Sequence, residues 1–180
     1  MAATASDDLS APWAPIIHQV LVDAGVRQAA HVPDAGLARL IEMLKATPSV
    51  TTVSLTTEEE GVALAAGAWL GGQRAVMLMQ SSGVGNCVNM LSLIASCRFP
   101  FLAIVTMRGE WAEFNPWQVP MGRATQQAFE IMGVRVLRID DLSGLQDTIA
   151  AAAAMAFDSD QAIAVLLSQK MLGRKKWRPE

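Results

Sequence analysis

The sequence predicts an α/β domain: a doubly wound, about six-stranded parallel sheet with helices on both faces. Three observations lead there. Short apolar runs alternate with amphipathic ones along most of the chain, which is the rhythm of βαβ units. The runs 75–79 and 102–105 are continuously apolar, as strands covered on both faces are. A length of 180 residues suits one hydrophobic core.

The first helix is read over 13–24, where Ile16, Ile17, Val20, Leu21 and Ala24 recur at helical spacing and Gly25 ends the pattern. The alternating runs 28–32, 37–46, 50–55, 59–70, 74–79, 86–96 and 101–106 then follow as strand, helix, strand, helix, strand, helix and strand. A polar, proline-containing stretch, 108–122, interrupts the rhythm. It resumes with a helix at 123–132, a strand at 134–139, an alanine-rich helix at 142–157 and a strand at 162–167. The alanine tract 150–154 fits a helix packed closely on the sheet. The organisation expected is a flexible N-terminus (1–12), one folded domain (13–169) and a basic C-terminal tail (170–180).

Hydrophobic residues make up 52% of the chain and charged residues only 17%, an apolar excess that points to surface buried against a partner. A net charge of -3, with no basic stripe before the last few residues, argues against nucleic acid as a ligand. Cys87 and Cys97 lie in apolar segments without disulfide-framework or metal-ligand spacing and read as small core residues, so no metal site is expected. The start of the chain carries Asp7 and Asp8 rather than a basic and then apolar leader, and no apolar run reaches the roughly 20 residues of a membrane span. A cytoplasmic location is expected.

Ligands of open parallel sheets bind at the carboxyl ends of the strands, which gathers the loops at Pro33, Glu58, Ser82 and Arg108 on one edge. In Glu58-Glu59-Glu60, ordinary attraction of carboxylates to a helix N-terminus would account for all three. Thr57 and Glu60 have capping-box spacing and Glu59 is placed toward solvent. Glu58, at the strand's carboxyl edge, is the one placed to point into a site. The loop 80–86 offers amides and hydroxyls, but lacks the third glycine of a dinucleotide fingerprint and the Lys-Ser/Thr of a phosphate loop. Asp34 has a second reading, as a cap for the helix whose apolar face starts at Leu37. His18 and His31 read as structural residues.

Val32-Pro33-Asp34, Glu58 nine positions before Gly67, the stretch MLMQSSGVGNCVN at 77–89, and Met107-Arg108-Gly109-Glu110 followed by Gln118 and Gly122-Arg123 occur in this order. Across 13–167 the combination resembles the pyrimidine-binding (Pyr) domain of thiamine diphosphate enzymes, and within it sulfopyruvate decarboxylase α subunits and the related phosphonopyruvate decarboxylases. The resemblance implies the thiamine diphosphate-binding fold and a role for Glu58 in hydrogen-bonding N1′ of the cofactor's aminopyrimidine, which favours its imino tautomer. That role asks for a carboxyl group of raised pKa in a dry site. By the same likeness Pro33, Asp34, Ser82, Gly83 and Asn86 line the cofactor site, and 3-sulfopyruvate is decarboxylated to sulfoacetaldehyde and CO2.

An anionic keto acid needs a fork of donors and a fixed positive charge, which makes Arg108 and Arg123 candidates, with Asn115 and Gln118 as neutral donors. Surface salt bridges are the alternative for both arginines. Trp117-Gln118-Val119 departs from the Pro-Gln-His of phosphonopyruvate decarboxylases and weighs against a phosphonate substrate. No Gly-Asp-Gly occurs in the chain, so the resemblance implies that Mg2+ and the diphosphate are held by a β subunit carrying the diphosphate-binding domain, in an α2β2 or larger assembly. Two other readings stand beside this one: a phosphonopyruvate or other 2-keto acid decarboxylase subunit, and a non-catalytic Rossmann-like binding or regulatory module.

Overall fold

A computed structural model of the chain describes residues 11–174; the expected flexible start and the end of the basic tail lie largely outside that range. The strands are β1 (Val26–His31), β2 (Thr51–Ser54), β3 (Arg74–Gln80), β4 (Phe101–Thr106), β5 (Arg135–Ile139) and β6 (Ala162–Leu167). They form one six-stranded sheet in the order β2-β1-β3-β4-β6-β5, and every pairing is parallel. The helices are α1 (Trp13–Asp23), α2 (Ala38–Lys45), α3 (Glu59–Leu70), α4 (Ser81–Cys87), α5 (Ser92–Cys97), α6 (Val119–Ile131), α7 (Leu145–Asp158) and the short α8 (Gln169–Leu172). A 3-10 turn, Pro116–Gln118, precedes α6.

Alternation along the central strands feeds two separate cores. Val76, Leu78, Leu102, Ile104, Ile163 and Val165 pack against α1, α2 and α7. Met77, Met79, Ala103, Val105, Ala164 and Leu166 pack on the other face against Val62, Leu91 and Phe129 of the α3, α4–α5 and α6 layer. Both faces are therefore dry, which explains the unbroken apolar runs of β3 and β4. Each large aliphatic or aromatic side chain so buried contributes about 1.5–3 kcal/mol. Ala152, Ala153 and Ala156 of α7 are buried, so the alanine tract brings that helix close to the sheet.

The strand order reverses direction between β1 and β3, leaving a crevice at their carboxyl ends. That crevice receives the segments after β1, β3 and β4, and β2 delivers Glu58 beside it.

Three local expectations change. The segment 80–86 is not a loop: Gln80 is an extended N-cap and α4 begins directly at Ser81. Gly83 and Gly85 disguise it, because glycine costs about 1 kcal/mol in a helix interior, but a Cβ at Gly83 would strike the Glu58 carboxylate and one at Gly85 would press on the Met121 side chain. The single helix expected at 86–96 is two short ones, α4 and α5, joined by a turn in which Ser92, Leu93 and Ile94 donate to carbonyls three residues back. The helix expected from 123 starts earlier, at Val119, with Pro120 in its first turn, where a missing N–H is harmless.

Candidate cofactor site

Glu58 is the N-cap of α3 and half-buried at the carboxyl edge of the sheet. Its Oε2 accepts a hydrogen bond from Asn86 Nδ2 at 2.7 Å. Its side chain lies against Gly83, where any Cβ would collide with the carboxylate. Thus α3 presents the carboxylate and the first turns of α4 both support it and hold one oxygen. Oε1, the oxygen that lies against Gly83, makes no hydrogen bond among the described residues. An oriented carboxylate cradled by a glycine suits contact with a ring nitrogen, while its half-buried position falls short of the dry site that the aminopyrimidine role asks for. Three of the expected cofactor residues, Glu58, Gly83 and Asn86, are brought into direct contact.

The neighbouring carboxylates are used otherwise. Glu60 accepts from both the N–H and the hydroxyl of Thr56, at 3.0 and 2.6 Å, and these bonds hold its carboxyl below the usual range. The capping partner is therefore Thr56 and not Thr57, because the helix starts with Glu58 as its N-cap and Glu60 sits in the first turn. Glu59 is exposed.

Asp34 does not cap α2, whose N-cap is Leu37 without a side-chain bond. Instead its carboxylate accepts from Gln80 Nε2 at 2.9 Å and Thr106 Oγ1 at 3.3 Å, and Gln80 Oε1 accepts from Ser82 Oγ at 2.9 Å. This chain of bonds ties together the carboxyl ends of β1, β3 and β4 and fixes Ser82 beside Gly83. Pro33 is exposed at the start of the same segment. Gln80 and Thr106 were not singled out in the sequence; each ends a strand of the crevice with a polar residue, which is the signal that could have found them.

The fully buried Ser81 links this edge to the next segment: its Oγ accepts from Arg108 N at 3.0 Å, and its carbonyl accepts from Thr125 Oγ1 at 3.3 Å. Arg108 itself is buried and committed to Glu113, donating from Nε at 2.6 Å and from Nη2 at 2.5 Å. The salt-bridge alternative therefore describes Arg108 in this structure, although the bridge is buried and not on the surface. Asn115 Oδ1 accepts from Trp117 N at 3.1 Å, capping the 3-10 turn. Gln118 Oε1 is buried and has no hydrogen-bond partner among the described residues. Arg123 is exposed on α6, with no ion pair among the described residues. Two residues outside the sequence-derived set organise this segment, Glu113 and Gln169, and both act through contacts between distant parts of the chain.

Cys87, in α4, is buried with its thiol pushed up to about 12, first by burial and then by the negative charges of Glu58 and Glu59, so it remains a neutral core thiol. Cys97 is exposed at the end of α5, contrary to the core position expected for it. Among the described residues no group of three or more His, Cys, Asp or Glu could hold a metal ion, and no helix is long and apolar enough to cross a membrane. A groove of ≈ 230 Å³ lined by Ala65, Trp69, Arg74, Pro100 and Phe157 lies at the opposite, amino-terminal edge of the sheet and touches none of the site residues.

A doubly wound parallel sheet with a supported carboxylate at its switch-point edge defines a cofactor-binding α/β domain. Comparison with known proteins makes this particular. The chain belongs to the family described as thiamine pyrophosphate enzyme, N-terminal TPP binding domain, whose model matches residues 13–133. It is 37% identical over 152 residues to the sulfopyruvate decarboxylase subunit alpha of Methanothermobacter thermautotrophicus, covering 84% of this chain and 92% of that one. It is 34% identical over 116 residues to the subunit of the same name from Methanocaldococcus jannaschii, covering 64% of this chain and 69% of the relative. The phosphonopyruvate decarboxylase of Streptomyces viridochromogenes is 37% identical over 123 residues, 67% of this chain but 31% of that protein. Among solved structures, 2-oxoglutarate:ferredoxin oxidoreductase from Magnetococcus marinus shares the fold with a TM-score of 0.70 at 14% identity, matching 91% of this chain and 31% of that one.

Proposed function

We infer that this chain is the α subunit of a thiamine diphosphate-dependent decarboxylase that converts 3-sulfopyruvate to sulfoacetaldehyde and CO2. The observation that carries the reading is Glu58, with Oε2 held by Asn86 at 2.7 Å and its side chain seated on Gly83. Thiamine diphosphate, when bound, supplies the electron sink for loss of CO2 from a 2-keto acid. The chain's own share is to hold a carboxyl group against N1′ of the pyrimidine and keep it there. Because Glu58 is only half-buried in this chain, the second wall of a dry site has to come from another surface.

The substrate rests on the relatives named sulfopyruvate decarboxylase subunit alpha, one of which is matched over 92% of its length. The partner rests on the words "subunit alpha" and on the absence of Gly-Asp-Gly from these 180 residues. Decarboxylases named without a subunit, of which this chain matches 30% and 31%, have room for the remaining machinery in one polypeptide. On this reading Mg2+ and the diphosphate lie on a β subunit, and an α2β2 or larger complex buries the apolar surface. Pro33, Asp34 and Ser82 complete the cofactor's surroundings from the α side, and Arg123 with Gln118 meets the anionic end of the keto acid. Asn115 serves as a cap for the loop that carries them.

A phosphonate substrate is the second reading, favoured by the phosphonopyruvate decarboxylase relatives at 37% and 38% identity. Both are decided on the complex formed by co-expressing the chain with a subunit that carries Gly-Asp-Gly. With 3-sulfopyruvate and phosphonopyruvate in competition, CO2 release from 3-sulfopyruvate dominates. A preference for phosphonopyruvate would replace the substrate, and no decarboxylation of either acid would remove the assignment.

A further inference from the structure

The segment 108–118 has no regular structure before its 3-10 turn, yet two side chains account for much of its shape. Glu113, whose side chain is only 3% exposed, accepts five hydrogen bonds. Two come from Arg108, and the others come from Gly109 N at 3.2 Å, Asn115 N at 3.0 Å and Gln169 Nε2 at 2.8 Å. Gln169, at the start of α8 and 2% exposed, accepts with Oε1 from Glu110 N at 3.1 Å and Trp111 N at 3.0 Å. Its own backbone N–H donates to Glu110 Oε1 at 2.8 Å, the same oxygen that accepts from Arg138 Nη2 on β5. Four backbone amides of a surface segment are thus satisfied by two buried side chains, one of them from the far end of the chain.

The segment is joined to the cofactor edge. Arg108 N is fixed on Ser81, one residue before Ser82 and two before the Gly83 that supports Glu58. Gly122 packs against the Arg108 carbonyl, and Gly85 of α4 faces Met121 of α6, so the loop's exit is set by the helix that holds Glu58.

Resting on the function inferred above, we propose that Glu113 and Gln169 are positioning residues for the substrate loop, taking Arg108 as their structural ion pair and leaving Gln118 and Arg123 for the keto acid. The carboxyl of Glu113 is held down at about 2, first by its bond from Arg108, so the clamp is charged throughout the neutral range. Among the described residues no ion pair commits Arg123 and no side-chain bond commits Gln118, whose Nε2 and the Arg123 guanidinium are donors of the kind an anion takes.

Two measurements on Gln169→Ala and Glu113→Gln test this. In the full-length chain, amide hydrogen exchange is expected to quicken about tenfold, the loss of one hydrogen bond's worth of protection, at Glu110 and Trp111 in Gln169→Ala and at Gly109 and Asn115 in Glu113→Gln. The β4 amides keep their rate. Unchanged exchange at those four amides would overturn the proposal, whatever the enzyme does. In the co-expressed complex, Gln169→Ala is expected to raise KM for the keto acid about tenfold with kcat within about threefold, because loop placement acts on binding of the substrate. A fall in kcat at unchanged KM would also overturn it. An inactive wild-type complex removes the inferred function instead, and the exchange experiment still decides the clamp. If Glu113→Gln does not fold, Gln169→Ala, which buries no lone charge, carries both measurements.

Discussion

Glu58 is held by features 25 and 28 positions further along the chain, Gly83 and Asn86, whose importance is invisible without the fold. Its place at the carboxyl end of an apolar run was legible from the sequence, because the capping and solvent roles of Glu60 and Glu59 could be assigned first. The capping partner was read one residue off, since a helix start is set by backbone geometry that adjacent threonines do not distinguish. Gly83→Ala puts a methyl group into the Glu58 carboxylate and is expected to cost about 1–3 kcal/mol in stability, with a loss of turnover as the carboxylate moves. Chemical denaturation and steady-state assays of the same variant check it, and a variant equal to wild type in both contradicts the packing described. His31 is buried with no hydrogen-bond partner for Nδ1 among the described residues, and its pKa is pushed below the ordinary 6.5 by burial first and then by Lys45. The folded state thus favours the neutral ring. Stability is complete above the unfolded value and declines as pH falls through it toward the lowered folded value. Denaturation midpoints taken between about pH 7.5 and pH 5.5 are expected to fall in wild type and to flatten in His31→Leu.

At the scale of elements, periodicity located the strands well because β3, β4 and β6 are buried on both faces and carry little else. It located α4 poorly. Two glycines and two serines are what a loop would contain, and the reason for the glycines, contact with Glu58 and Met121, depends on other elements. The segment 108–118 was recognised as irregular, but its clamp joins residues 56 to 59 positions apart and left no local pattern. Gly109 has φ +76, and a side chain there would run into the Gln118 carbonyl. Gly109→Ala is expected to destabilise by about 1–3 kcal/mol, read as a shift in the denaturant midpoint with an unchanged slope. Because Glu113 is depressed to about 2 from an ordinary 4.5, its contribution is present above 4.5 and is lost as pH falls toward 2. Acid is therefore expected to release the 109–115 amides before those of β4, as hydrogen exchange would detect; simultaneous release contradicts it.

At the scale of the molecule, the apolar excess of the sequence reappears as exposed large side chains: Leu70 at 79% on α3, Ile131 at 81% on α6 and Trp117 at 84% on the loop near the site. The α/β class and the sequence of elements were legible because burial repeats along the chain. The strand order was not, since it depends on which way each crossover returns. With no metal-binding cluster among the described residues, the purified chain alone is expected to bind thiamine diphosphate weakly, with or without Mg2+. Tight, Mg2+-dependent binding by calorimetry would contradict the division of the site between two subunits.

The central claim is that Glu58 activates the cofactor from this chain's side of a shared site. Its most direct test is Glu58→Gln in the co-expressed complex, with decarboxylation of 3-sulfopyruvate and hydrogen exchange at C2 of added thiamine diphosphate followed together. Both are expected to fall by about two orders of magnitude or more, while the complex elutes at its wild-type size. Wild-type turnover and C2 exchange in an intact Glu58→Gln complex would contradict the account.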